Sequence, residues 1–179
     1  MSQSGPPPTS GTPEAAPMTP LKGLLVLLAI IVVIGAFVAL CLALGIHQMW
    51  AAFLFLLYWA GIEHVAFDKL LPCLMGAVGG LLLAWSEQLL PGLLGEMGGL
   101  AFFGLILVAV YCQVMGWVSV LVNLTFMLFL TVGTMPAVQK GLDFPEAFMA
   151  IGLGCIYFAG LAWIGTRVMA GRAAVQPQS

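Results

Sequence analysis

Glu63, His64, Asp68 and Lys69 form the densest group of titratable side chains in a chain that is only 7% charged. His64 and Asp68 stand four residues apart, so on a helix they would share a face, and Glu63 adjoins them. Histidine titrates near neutral pH. Carboxylates beside it would make a proton-sensing or gating cluster, with Glu63, His64 and Asp68 as the candidate hinge residues. The competing reading is an interfacial cap with ion pairs around Lys69, because links at a membrane surface normally carry such residues.

Other chemistry is sparse. His47 and His64 are the two histidines of the chain and lie on separate links, and two ligands do not make a metal site. No serine sits in a nucleophile-elbow setting. Cys41, Cys73, Cys112 and Cys155 lie singly in different apolar runs, where thiols pack as small hydrophobes. These features predict no catalytic residue, no cofactor, no metal and no enzyme. Deeper in the apolar runs stand Ser86, Gln113, Ser119, Asn123, Thr125, Thr131 and Thr134. Gln113, Asn123, Thr131 and Thr134 are the candidate pore-lining groups for a small neutral solute, and helix-to-helix hydrogen bonding explains them equally well. No acidic or basic residue falls clearly mid-run, which argues against an ion pump or proton-relay antiporter.

The elements that must position these residues are apolar. The chain is 62% hydrophobic, whereas a soluble domain carries about 25% charged residues, so it lacks the charge to cover a watery surface. A span needs about 20 apolar residues, and the length beyond a polar N-terminal tail holds about six. Residues 1–20, rich in Pro, Ser, Gly and Thr, read as a disordered tail that could offer a polyproline surface to a protein partner. The membrane domain is expected over 21–172, and 173–179 as a short polar tail. Net charge −2 with five Lys and Arg argues against nucleic acid.

The first run, 24–45, exceeds a signal-peptide core and lacks a clear cleavage site, so it reads as an uncleaved span. The second, about 49–62, is short for a crossing, with Trp50, Tyr58 and Trp59 suited to the interface. A hinge at 63–69 leads to a third helix ending near Leu90, with Asp68 as its cap and Pro72 at the edge of its first turn. The fourth covers about 98–115 with Gly116 marking a turn, the fifth about 117–138, and the sixth runs to about 169. Asp143 and Glu146 have capping-box spacing with Pro145 in the first turn. With alternating spans, Lys22, Lys69, Arg167 and Arg172 share one side and Lys140 lies on the other. Cytoplasmic segments hold excess Lys and Arg, so both termini are expected in the cytoplasm.

An internal echo organises the runs. Phe67-Asp68, Gly76 and Leu83-Ala84-Trp85 are matched by Phe144-Pro145-Glu146, Gly154 and Leu161-Ala162-Trp163. Three runs per unit is odd, so the second triplet would insert upside down relative to the first, as in many transporters. Gly76 and Gly80 have the spacing that lets helix backbones approach in lipid, as do Gly95 and Gly99. Gly76, Gly79, Gly80 and Gly154 are therefore the expected packing glycines.

Trp50-Ala51-Ala52-Phe53, Tyr58-Trp59-Ala60 and Gly79-Gly80, with Val132-Gly133-Thr134 through Gly154, resemble the YcdZ-like family of small bacterial inner-membrane proteins. The likeness covers most of 25–170. It implies a helical fold and an inner-membrane location, and carries no catalytic residue or assigned activity. Glu63-His64 departs from the small residues of that pattern. The expectation is an all-α membrane protein of about six transmembrane helices in two inverted three-helix repeats. Its leading function is a channel or transporter for a small neutral solute, and its partners are the lipid bilayer and a second copy of itself. The alternative is a non-transporting subunit that scaffolds a partner protein; an intramembrane enzyme ranks last.

Overall fold

The computed structural model describes residues 19–174, all of whose regular structure is helical. The Pro-rich tail expected over 1–20 falls almost wholly outside the described residues, as does most of the C-terminal tail. Helix α1 covers Pro20–Ala43, α2 Trp50–Gly61, α3 Phe67–Leu94, α4 Met97–Met115, α5 Leu124–Gly133, α6 Pro136–Gln139 and α7 Phe144–Ala174. Four of them, α1, α3, α4 and α7 (over Phe144–Val168), are long and apolar enough to cross a membrane.

The chain divides into two units at Ala36/Phe37. The described part of the first is one helical stretch whose Leu and Ile side chains are largely exposed. The second holds everything that follows, and its core is aromatic. Phe37, Phe55, Trp59, Phe129 and Phe144 are fully buried. The Phe37 ring lies 5.6 Å from Phe53, 5.3 Å from Tyr157 and 4.8 Å from Phe158, and Trp85 stacks on Phe144 at 5.5 Å. Such pairs contribute about 0.5–1.5 kcal/mol each beyond the area they bury. Helix α4 buries little and turns Leu100, Phe103, Leu107 and Val114 outward, as a lipid-facing helix must.

Besides the single turn of α6, two helices are short. At 1.5 Å per residue, the 12 residues of α2 span about 18 Å and the 10 of α5 about 15 Å, against a hydrocarbon layer of about 30 Å. The continuous fifth helix expected over 117–138 is thus corrected to a half-length one, for local reasons. Asn123 is an N-cap whose side chain accepts the Phe126 N–H at 3.1 Å, so no helix runs through it. At the other end Met135 precedes Pro136, and the proline forces it to an extended ψ of 128°. Gly116 does close α4, in the left-handed conformation at φ 67°, with its N–H on the Cys112 and Gln113 carbonyls.

Helix α3 outlasts its expected end. Pro91 sits inside it, and the helix stops at Leu94, where Gly95 at φ 59° turns the chain. Asp68 is corrected from cap to first-turn residue: Ala66 is the N-cap and makes no side-chain capping bond. Pro72 accordingly lies two residues deeper than expected. The hinge ahead of it is strained, with His64 at φ 51° and Val65 at φ 62°, a conformation that is a true outlier for a β-branched residue. Two bonds hold it there: Val65 N–H to the Trp59 carbonyl at 3.0 Å, and Trp59 Nε1 to the Ala66 carbonyl at 2.9 Å.

The short helices pack on the long helices of the opposite half. Along α3 and α5, Gly76 meets Asn123, Gly80 meets Phe126 and Ala84 meets Gly133, so the two run parallel. Along α7 and α2, Glu146 meets His47 and Gln48 while Gly154 meets Ala52, again a parallel pair. Trp85 near the end of α3 stacks on Phe144 at the start of α7, which makes the two long helices antiparallel.

Candidate functional site

The site is built at the start of α5. A cavity of about 200 Å³ opens there, lined by Tyr58 of α2, Glu63 of the hinge, Lys69, Pro72 and Cys73 of α3, Ser119 and Val120 of the α4–α5 link, and Asn123 and Thr125. Each wall has a local cause. The last turn of α2 carries on through Ile62 and Glu63, whose N–H groups both bond the Tyr58 carbonyl, so the Glu63 carboxylate lies over Tyr58 and its Oε1 accepts the Tyr58 hydroxyl over a long 3.4 Å. Gly76 leaves no side chain between α3 and Asn123, so the amide reaches the Pro72 carbonyl with its Nδ2 at 2.8 Å. The same Nδ2 donates to the Val120 carbonyl at 3.2 Å, tying the link to the helix it precedes.

The first N–H groups of a helix have no partner within it and carry a partial positive charge. Asn123 satisfies one at the start of α5. Thr125 is 1% exposed, and its hydroxyl lies within reach of the Tyr58 hydroxyl and the Cys73 thiol without a hydrogen bond of good geometry to either. A buried hydroxyl left unpaired costs about 1–3 kcal/mol. The cavity therefore sets a buried hydroxyl, one cation and one carboxylate beside a helix start in an otherwise apolar chain.

The corresponding end of α2 is closed by the protein itself. Asp143 accepts the Glu146 N–H at 3.1 Å and so starts α7, as the capping-box spacing predicts for that half of the motif. The Glu146 carboxylate leaves its own helix and accepts the N–H of His47 and, at 3.0 Å, of Gln48. His47 Nδ1 lies 3.5 Å from the same oxygen. The Gln48 amide donates to the Gly141 carbonyl at 2.9 Å and accepts from Trp50 Nε1 at 2.8 Å, so the start of α2 is locked to the start of α7.

Of the hinge residues expected to act together, only Glu63 lines the cavity; His64 and Asp68 are exposed. Neither Glu63 nor Asp68 makes an ion pair with Lys69 among the described residues, so the expected salt-bridge set around that lysine does not form. Gly76, Gly79, Gly80 and Gly154 all sit at close helix contacts, with Leu121, Phe126 and Ala52 among the atoms a side chain would strike. Gly95 and Gly99 do not: open space surrounds both. Among the pore candidates, Asn123 reaches the cavity, where it acts as a cap. Thr131 and Thr134 bond back to the Met127 and Leu130 carbonyls of their own helix at 2.7 and 2.9 Å. Gln113 lies on α4, its buried Oε1 without a partner.

Tyr58, Lys69, Cys73 and Thr125 complete the cavity without having been chosen from the sequence as site residues. The one legible signal was Asn123 ahead of an apolar run, an N-cap pattern that places a helix start beside whatever surrounds it. No group of three or more potential metal ligands occurs among the described residues. No protein-family model matches the chain, and neither does any curated protein or solved structure.

Proposed function

We propose that the chain is a multi-pass inner-membrane channel or transporter for a small neutral solute, built from two inverted triplets, α1–α3 and α4–α7, with α6 a linking turn. One observation carries the reading. Each triplet is long–short–long, and each short helix lies parallel to the long helix of the other triplet, on its glycine-bearing face. Half-length helices set polar backbone at membrane depth, and non-helical backbone there is tolerated only when buried in protein or lining a cavity. The echo supports the same pairing: Gly76 and Gly154 occupy matching places in it, and each admits a short helix. The cation bias supports cytoplasmic termini. The resemblance to the YcdZ-like family belongs to this proposal, with its bacterial inner-membrane setting, as does assembly with further copies of the chain.

The test is uptake of small neutral solutes into proteoliposomes, followed by stopped-flow light scattering. The expected outcome is re-swelling faster than in protein-free vesicles for at least one of glycerol, urea or acetamide. If none outpaces empty vesicles, transport fails and the scaffolding reading takes its place.

A further inference from the structure

We propose that the cavity at the start of α5 is a binding site for a small neutral amide, a molecule with one carbonyl acceptor and N–H donors. The inference rests on the transport reading only for its solute class; the site itself stands on four observations.

The first is size. A water molecule occupies about 30 Å³ of liquid, so about 200 Å³ admits a solute of a few heavy atoms and nothing of cofactor size. The second is Thr125, 1% exposed and on the cavity wall, whose hydroxyl makes no hydrogen bond of good geometry although Tyr58 and Cys73 stand beside it. A buried polar group is normally paired with protein, water or ligand. The third is the helix start beside it, whose unpaired N–H groups favour an electron-rich oxygen. The fourth is charge balance. Lys69 and Glu63 both line the cavity, so its walls carry one charge of each sign. An anion would meet the Glu63 carboxylate and a cation the Lys69 ammonium, and a like-charge contact is unfavourable. A neutral amide presents its carbonyl to the helix start and the Thr125 hydroxyl, and its N–H to Glu63. No net charge is then buried.

The other half of the molecule shows what an anion would look like in such a place. There the Glu146 carboxylate already serves the backbone ahead of α2. Asp68, which takes Glu146's place in the echo, is exposed and leaves the start of α5 to the cavity.

The experiment is saturation-transfer-difference NMR on the detergent-solubilised full chain, with acetamide as probe and acetate as its charged near-isostere. The expected result is a methyl signal from acetamide, little from acetate, and at least a fivefold loss of the acetamide signal in Thr125→Val and in Glu63→Gln. Thr125→Val keeps the side-chain shape; Glu63→Gln tests the opposite wall, so failure of one variant to fold leaves the other informative. No acetamide signal, an equal acetate signal, or an undiminished signal in both variants would overturn the site. Binding is read in micelles and transport in vesicles, so the two proposals fail separately. Acetamide bound without being moved would sink the transport reading alone, and uptake insensitive to both variants would sink the site.

Discussion

The two seams between long and short helices solve one packing problem by different means. Where α5 meets α3, backbone meets backbone: a Cβ on Gly80 would run into the Phe126 carbonyl, and one on Gly79 would lie 2.7 Å from Leu121 Cδ1. The helix start there is capped from within, by Asn123. Where α2 meets α7, one glycine suffices, with Ala52 Cβ 2.8 Å from a Cβ on Gly154. That helix start is held from the opposite half, by Glu146. An opposing carboxylate occupies the backbone donors ahead of α2. Capping by a local amide leaves space ahead of α5, and the cavity lies there. Under the proposed repeat, the difference separates an end that serves the fold from an end left open to a ligand.

Substitutions at the seams sharpen this contrast, and their effects should fall in a definite order. Gly80→Leu should be the most damaging, because the obstacle is the α5 backbone, which cannot rotate away. Loss of the monodisperse peak in size-exclusion chromatography is expected, while Gly104→Ala, in open space, should leave it unchanged. Gly154→Val meets an alanine methyl first, and should cost about 1–3 kcal/mol as ordinary overpacking. Thermal unfolding in detergent would read it as a lowered Tm without loss of fold. Asn123→Ala removes an N-cap and the bond to the Pro72 carbonyl, at a cost of about 0.5–2 kcal/mol. Its signature should be faster amide exchange confined to the first turn of α5. Glu146→Gln keeps the shape and one acceptor oxygen, so it should lower the Tm least. Exchange should quicken at His47 and Gln48 and stay unchanged at α5. Equal effects of Gly80→Leu and Gly154→Val would erase the proposed difference between the seams.

Much of this plan is readable in the residues, and the exceptions have physical causes. Apolar runs, the turn at Gly116 and the packing role of Gly76, Gly79, Gly80 and Gly154 follow from hydropathy and small side chains, which act locally. The length of α5 was hidden because Asn123 and Pro136 interrupt a stretch that stays apolar on both sides; hydropathy measures burial and is blind to a cap. Asn123, a pore candidate by its polarity and depth, lines the cavity and also accepts the Phe126 N–H, a role its residue type favours. The hinge misled in the opposite way. Four-residue spacing would unite His64 and Asp68 on a helix, but positive φ at His64 and Val65 breaks the helix between them. Glu146 reaching His47, 99 residues away, is a tertiary fact that no local pattern encodes. Half the cavity wall has the same origin, since Tyr58 and Thr125 come together only through the folding of separate segments.

The central claim is that the open helix start serves a neutral solute while the closed one serves the fold. Acetamide uptake into proteoliposomes, normalised to folded protein, tests it in one comparison of wild type, Thr125→Trp and Glu146→Gln. Fast uptake is expected for wild type, the empty-vesicle rate when the indole fills the cavity, and near wild-type uptake for Glu146→Gln. Uptake no faster than empty vesicles for wild type, or undiminished by the indole, would contradict it.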